Sequence, residues 1–305
     1  MFDMLKRRTK KEITPAYICA AIICHCNPIA KRLSDEKLIK MVYRGYVGRK
    51  LNLENPQYYT EKLNWLKLHD HNPLYNVLVD KYEVKKYVAE KIGVEYIIPT
   101  LGVWDAFDEI NFEKLPKQFV LKCTHNSGGV VIIKDKSLMD RKAVKRTLEK
   151  SLKRNFGMIN REWPYIDVKP RIIAEAYMKD ITTNELRDYK FFCFNGKAKA
   201  VYVITGREKE GPFLDFFDMD FKHLDVSSIY PNAPTVPQKP ETFEKMKIIA
   251  NILSEDIPHV RVDLYEINGK VYFGEYTFYH IAGWVPMRPE KWEKVFGDWL
   301  SLPKV

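Results

Sequence analysis

The sequence predicts an α+β protein in which antiparallel sheets follow a mainly helical N-terminal region. Three observations predict it. Residues 17–95 carry helical periodicity and caps, and from residue 96 the pattern changes to short β-branched and aromatic runs. Two Asn-Gly pairs, Asn195-Gly196 and Asn268-Gly269, join adjacent runs as hairpin turns. Hairpins bring antiparallel pairing, which argues against a doubly wound parallel sheet. With 305 residues, 46% hydrophobic and 13% aromatic, the chain can build two or three cores and is too apolar for disorder.

The elements follow in order. "KRRTKK" (Lys6 to Lys11) precedes "AYICAAIICHC". That apolar run is roughly half the ~20 residues needed to span a bilayer, so it predicts a buried or interfacial helix. A basic cluster beside an apolar face suits an anionic membrane surface, reached through residues 1–26. A solvated charged segment before a core helix is the simpler alternative. "SDEKLIKMVYRGYVG" opens with Ser34 as cap and acids in its first turn. "TEKLNWLKLHD" opens at Thr60 with Leu63 and Leu66 at helical spacing, and "NVLVDKYEVKKYVAEKIG" predicts an amphipathic helix stopped by Gly93. The strand runs are "YIIPTLGVW", "QFVLKC", "GVVIIK", "RIIAEAYM", "DYKFFCF", "KAKAVYVITG", "FLDFFDMD", "HVRVDLYEI" and "KVYFGEYTF". Helical stretches interrupt them at 140–155 and 241–254, and "YPNAPTVPQKPE" reads as a surface connection.

A formal charge of +10 attracts polyanions without choosing among them. Five cysteines with no paired CxxC indicate neither a disulfide framework nor structural zinc, and a reducing cytoplasm is the simplest home. Cys123 and Cys193 read as small core residues. The chain has no GxxxxGK[ST], GxGxxG, HExxH or GxSxG, and its seven histidines lack metal-ligand spacing. P-loop, dinucleotide, zinc-hydrolase and serine-hydrolase chemistry are thereby disfavoured.

What remains is a set of charges on predicted strands. Lys122 ends one strand beside the glycine-rich "THNSGG", Lys190 lies within "DYKFFCF", Arg261 and Asp263 form R-x-D, and Glu275 and Thr277 form E-x-T. Charges enter core strands only when paired or bound to an ion. Two carboxylates on neighbouring strands, facing one way, call for a cation, and Mg²⁺ with nucleotide phosphates supplies it. Asp263 and Glu275 share a face if the intervening loop has three residues, Ile267-Asn268-Gly269, with Gly269 left-handed. A two-residue turn would point them to opposite faces.

The order of these pieces resembles the ATP-grasp ligases. "NPQYYTEKLNWLKLHD", "VDKYEVKKYV", "KCTHNSGG", "DYKFFCFNGK" and "FGEYTFYHIAGW" are similar to the TupA-like, teichuronopeptide-biosynthesis branch, a likeness running from Tyr43 to Trp299. The resemblance implies an ATP-grasp fold, two α+β subdomains gripping ATP, divided as a helical region 1–95, a small subdomain 96–178 and a large one 179–305. It implies that Lys122 and Lys190 bind ATP phosphates and that Gly128 and Gly129 form the phosphate lid. Glu175, Ala176, Tyr177 and Met178 would be the hinge at the adenine edge. Asp263 and Glu275 would ligate Mg²⁺, with Thr277, where most members have asparagine, a weaker ligand or a positioning group. Arg261 would steady the transferring phosphoryl group.

The implied reaction joins a carboxylate to an amine through an acyl phosphate. The implied substrates are an acidic saccharide or uronic acid and an amino acid or amino sugar, in the cytoplasm, with no nucleic-acid partner. Each residue also has a plain structural reading. Lys122 ends a strand, Lys190 snorkels, Arg261 pairs with the acids, Glu175 caps or pairs, His125 lines the loop and His280 lines the site or packs. Glu61, Lys62, Trp65, Asp80 and Lys81 read mainly as structure. The rivals are a metal-dependent glycosyltransferase using "DMD" (Asp218 to Asp220), a non-enzymatic polyanion binder, and a kinase-like variant sharing the ATP half.

Overall fold

A computed structural model describes residues 14–25, 27–181, 186–206 and 211–304. The basic cluster Lys6 to Lys11 lies outside the described residues. The chain begins with α1 (Pro15–His25), α2 (Asn27–Arg32), α3 (Asp35–Val47), α4 (Tyr59–His69), α5 (Leu74–Val79) and α6 (Glu83–Ile92). Then come β1 (Thr100–Trp104), β2 (Phe119–Cys123), β3 (Val131–Ile133), α7 (Arg141–Leu152), α8 (Phe156–Asn160) and β4 (Ile172–Ala176). The last third holds β5 (Asp188–Phe194), β6 (Lys197–Thr205), β7 (Phe213–Phe217), β8 (His223–Leu224), α9 (Phe243–Leu253), β9 (His259–Ile267), β10 (Lys270–Thr277) and α10 (Glu290–Trp299).

The apolar N-terminal run is the expected helix. Helix α1 buries Tyr17, Ala20, Ile23 and Cys24 and leaves Ile18 and Ile22 half exposed. It packs so tightly on α3 that a Cβ at Gly45 would stand 2.4 Å from Ala20 Cβ and 2.5 Å from the Ala16 carbonyl. Ser34 caps α3 as its sequence predicts, accepting from Lys37 N. Thr60 does not cap α4. Glu61 does that work, with Oε2 accepting from Gln57 N at 2.9 Å and Tyr58 N at 3.1 Å. Thr60 is thereby free to donate its hydroxyl to Glu293 of α10 at 2.7 Å.

The amphipathic stretch ending at Gly93 is two helices. Asp80 breaks it, its Oδ1 accepting from Tyr82 N at 2.7 Å and Glu83 N at 3.2 Å, so that α6 starts anew. Lys81 sits at the break.

Both sheets are antiparallel. The smaller has the order β1-β4-β2-β3 and the larger β10-β9-β5-β6-β7-β8. Helix α7 covers the smaller sheet through Val144 and Leu148, which meet Phe119, Leu121 and Ile172. The main core joins β5, β6 and β9 to α4, α9 and α10 through Tyr59, Phe191, Phe192, Phe194, Phe243 and Phe296. Each such side chain, fully buried, contributes about 1.5–3 kcal/mol. Cys123 and Cys193 are fully buried and unpaired, as expected of core cysteines. Both Asn-Gly hairpins form, with Asn195, Gly196, Asn268 and Gly269 all at positive φ.

Candidate active site

The hairpin between β9 and β10 overturns one sequence expectation and keeps its consequence. Its loop has two residues, since Lys270 pairs with Ile267, and left-handed backbone at both Asn268 and Gly269 suits a two-residue turn. That register alone would have turned Asp263 and Glu275 to opposite faces. A bulge between Phe273 and Glu275 restores the match, placing Glu275 directly across from Asp263 and Thr277 across from Arg261. The extra residue is Gly274, where a Cβ would stand 2.9 Å from the Tyr265 ring and 3.0 Å from the Asp263 carbonyl. On the other side of β9, Lys190 pairs with Asp263. Three strands therefore present Lys190, Arg261, Asp263, Glu275 and Thr277 on one face.

Asp263 is fully buried between two cations. Lys190 donates to its Oδ2, and Arg261 grips it as a fork, Nε to Oδ1 at 2.7 Å and Nη2 to Oδ2 at 2.8 Å. Burial pushes the Asp263 carboxyl up, and Arg261 and Lys190 pull the other way. Burial pulls the Lys190 ammonium down, but Asp188 and Asp263 raise it above its ordinary value. Arg261 Nη2 also donates to Thr277 Oγ1 at 2.9 Å, and its Nη1 meets His280 Nδ1 at 3.1 Å. Thr277 and His280 thus orient the guanidinium. Glu275 stands freer, 39% exposed, with Oε1 3.7 Å from Arg261 and Oε2 3.9 Å from Lys81. Burial would raise its carboxyl, but Lys81, Lys190, Arg261 and Lys122 hold it well below the ordinary range.

The smaller sheet forms the facing wall. Glu175 on β4 lies between Lys122 of β2 and Lys85 of α6, each at 2.6 Å. Burial would raise the Glu175 carboxyl, and the two lysines bring it below its usual value. Ala176 gives its N–H to the Pro99 carbonyl, and Tyr177 and Met178 continue along the cavity edge. The loop after β2 carries Gly128 and Gly129 at φ +96° and +66°. Gly129 lies against α7, where a Cβ would stand 2.2 Å from Ser151 Oγ, whereas Gly128 has open space around it.

Between the walls lie two adjoining cavities. The first, about 390 Å³, is lined by Lys81, Lys85, Lys122, Lys190 and the segment Glu175–Met178, with Ile98, Val120 and Phe273 as apolar surface. The second, about 470 Å³, is lined by Arg154, Glu162, Arg261, Thr277 and a group of aromatic rings. Ser127, Gly128 and Glu275 border both. A cation-rich cavity with an apolar slot fits a nucleotide, and an adjoining chamber fits what it reacts with.

All the sequence-predicted site residues stand on these walls except Gly129, whose part of the loop lies against α7, and Asp263, which is sealed under its two cations. His125 is buried and lines neither cavity. Asp218 and Asp220 also lie elsewhere, and Asp218 Oδ1 accepts from Asp220 N and Lys222 N as a turn residue does. Sequence reasoning missed Lys85 and underrated Lys81. The signal for the latter was Asp80 with Glu83 three residues on, a helix start inside an apparent helix.

The profile of the family described as TupA-like ATPgrasp matches residues 61–301. The chain belongs to the TupA-like ATP-grasp family. Among solved structures, this family member is similar to D-alanine–D-alanine ligase from Bacillus anthracis complexed with ATP, at 18% identity and TM-score 0.41, covering 66% of this chain and 55% of that one. It is also similar to the Helicobacter pylori D-alanine–D-alanine ligase, at 18% identity and TM-score 0.45, covering 80% and 69%. A RimK domain ATP-grasp protein from Sphaerobacter thermophilus matches at 9% and 0.40, covering 74% and 67%. The chain spans little more than half the length of the first of these, 55%. No curated protein matches.

The donor set can be tested against Mg²⁺. Asp263 and Glu275 are hard oxygen donors directly opposed on adjacent strands. Since Lys190 and Arg261 already hold both Asp263 oxygens, an ion would reach Asp263 by displacing one of these donors, while Glu275 is open to it. Among the described residues no three acidic, histidine or cysteine groups gather to hold a metal. Two carboxylates fit an ion that takes its remaining ligands from phosphate and water, as Mg²⁺ does.

Proposed function

We propose that this chain is an ATP- and Mg²⁺-dependent carboxylate–amine ligase working through an acyl phosphate. The observation that carries the reading is the pair of cavities meeting at Glu275 and Gly128, five lysines on one side and Arg154 and Arg261 on the other. Lys122 and Lys190 hold triphosphate oxygens, joined by Lys81 and Lys85. Ala176, Tyr177 and Met178 meet the adenine edge, while Glu175 sets the two lysines beside it. Gly128 and Gly129 give the loop the backbone freedom to close over phosphate. Asp263 and Glu275 would hold Mg²⁺, which when bound neutralises phosphate charge and polarises the transferred group. Thr277 and His280 keep Arg261 aimed at the border between the cavities, where charge develops on transfer.

The second cavity takes the carboxylate acceptor and the amine. A uronic acid of a cell-surface polysaccharide or teichuronopeptide, joined to an amino acid or amino sugar, suits the family and the basic chain. The units are a helical region 1–95, which contributes Lys81 and Lys85, and lobes 96–178 and 179–305. The protein works in the cytoplasm. Ile18 and Ile22, exposed on α1 next to the basic segment, support contact with an anionic membrane face. Among the described residues no helix is long and apolar enough to cross a membrane.

Incubation with ATP, Mg²⁺ and pools of uronic acids and amino acids tests the reading. ADP release with a condensed product is expected, and hydroxylamine should trap the acyl phosphate as a hydroxamate. A sugar nucleotide, in place of ATP, raising the melting temperature with Mg²⁺ would favour a transferase.

A further inference from the structure

The second cavity contains a carboxylate that nucleotide binding does not use. Glu162 is 4% exposed, yet it lines the chamber. Among the described residues no ion pair within 4.0 Å involves it, because the cation behind it is engaged elsewhere. Lys67, fully enclosed, donates to the carbonyls of Asn160 at 3.0 Å and Ala282 at 2.6 Å, with its ammonium 3.8 Å from the Trp284 ring. Burial lifts the Glu162 carboxyl to about 7, with Lys67, Asn160 and Arg261 acting against it.

The surroundings are built and not accidental. Lys67 ties together two loops held in costly backbone. Ile281 and Ala282 stand at φ 47° and 52°, and Arg161, next to Glu162, at 54°. Left-handed backbone at non-glycine residues costs on the order of 1–3 kcal/mol each and gathers at functional sites. Arg161 itself is locked to the carbonyls of Met158, Ala30 and Leu33, which fixes the position of Glu162. Tyr165 and Tyr279 complete the wall beside it.

A buried carboxylate among aromatic rings is the chemistry that receives an organic ammonium, through charge and through the ring faces. The cations of the same chamber, Arg154 and Arg261, face the opposite task of receiving an anion. Resting on the ligase reading above, we propose that Glu162, with Tyr165 and Tyr279, is the subsite for the ammonium group of the amine substrate. Arg154 and Arg261 serve the carboxylate. The chamber is thus lined by groups of both signs, one for each reacting group.

Titration calorimetry on the full chain, loaded with Mg²⁺ and a non-hydrolysable ATP analogue, tests this with D-glucosamine and glycinamide as ammonium probes. N-acetyl-D-glucosamine is the matched probe without an ammonium. The wild type should bind the first two and not the third. Glu162→Gln should weaken the ammonium probes about tenfold or more, the scale of one lost charge-assisted hydrogen bond. Glu162→Asp keeps the charge facing Lys67, so it guards against a variant that fails to fold. It should weaken the same two probes by a smaller factor. Equal binding of glucosamine and its N-acetyl form, no binding of either, or unchanged affinities in both variants would overturn the assignment. Loss of analogue binding in the wild type would instead sink the ligase reading, so the two failures are distinguishable.

Discussion

On the smaller sheet, Glu175 lies between Lys85 and Lys122; on the larger, Asp263 lies between Lys190 and Arg261. Each wall of the first cavity thus uses one buried acid to hold two cations in place. The walls differ in what surrounds the clamp. Around Glu175 the cations outnumber the acid. Around Asp263 two further acids gather, Glu275 opposite it and Asp188 3.7 Å from Lys190. The smaller sheet therefore offers net positive charge to phosphate, and the larger has room for one more cation. The difference is what the proposed function rests on in assigning the metal to β9 and β10 and the bare phosphate grip to β2 and α6.

The strongest way to break this comparison is to neutralise each acid in turn. Asp263 is fully buried, so Asp263→Asn leaves Lys190 and Arg261 enclosed and short of a partner. Removing one member of a buried pair costs about 3–5 kcal/mol. Turnover should fall by roughly 10²–10³ through loss of electrostatic preorganisation. At Glu175 the lysines are 14% and 16% exposed and can turn toward water. Glu175→Gln should cost only about 1–3 kcal/mol. Urea titrations of both variants supply the measurement, and equal losses would show that the clamps are equivalent.

A second substitution sharpens the contrast. Lys122→Met removes one cation of the proposed phosphate grip while Lys85 still satisfies Glu175. Affinity for Mg²⁺-ATP should drop about tenfold to a hundredfold, the scale of one charged hydrogen bond, with a smaller change in urea midpoint than Asp263→Asn. A calorimetric titration that returned wild-type affinity would remove Lys122 from the nucleotide grip.

These two walls were not equally legible in the sequence. Lys190, Arg261, Asp263 and Glu275 stand out because charge inside apolar strands needs a reason. The reason for their shared face was not legible. A bulge at Gly274 and a two-residue turn give the same parity as a straight strand and a three-residue turn, and only contacts with Tyr265 and the Asp263 carbonyl tell them apart. Lys85 was hidden for the opposite reason. A lysine on an amphipathic helix reads as solvated, and nothing local shows that β4 brings Glu175 to it. Glu162 and Lys67 are 95 positions apart in the chain, and Lys67 supports the chamber wall only once α4 meets the loop after α8, where it donates to the Asn160 and Ala282 carbonyls. The positions of both Asn-Gly turns, the antiparallel pairing they impose and the unpaired core cysteines needed only local patterns and were legible, whereas the loop length of the second hairpin was misread.

The smallest expected effect concerns acid, and it too falls on the larger sheet. His259 of β9 is buried, its Nδ1 2.8 Å from the Cys193 carbonyl and its Nε2 2.9 Å from the Tyr59 hydroxyl. With Nδ1 donating and Nε2 accepting, both bonds require a neutral ring. Burial pulls its pKa down to about 3, the Cys193 carbonyl resisting and Arg261 assisting. The unfolded chain takes up this proton near the ordinary value of about 6.5, while the folded chain refuses it until about 3. Stability must therefore fall as pH drops between those values, by about 1–2 kcal/mol at pH 5.5 from this residue. Glutamine can donate to the carbonyl and accept from the hydroxyl without titrating. His259→Gln should lower the urea midpoint slightly at pH 8 yet lose less of it than wild type between pH 6.5 and 5. Parallel pH profiles for the two proteins would mean that the acid sensitivity of β9 lies in the carboxylates around Arg261 and not in the histidine beneath it.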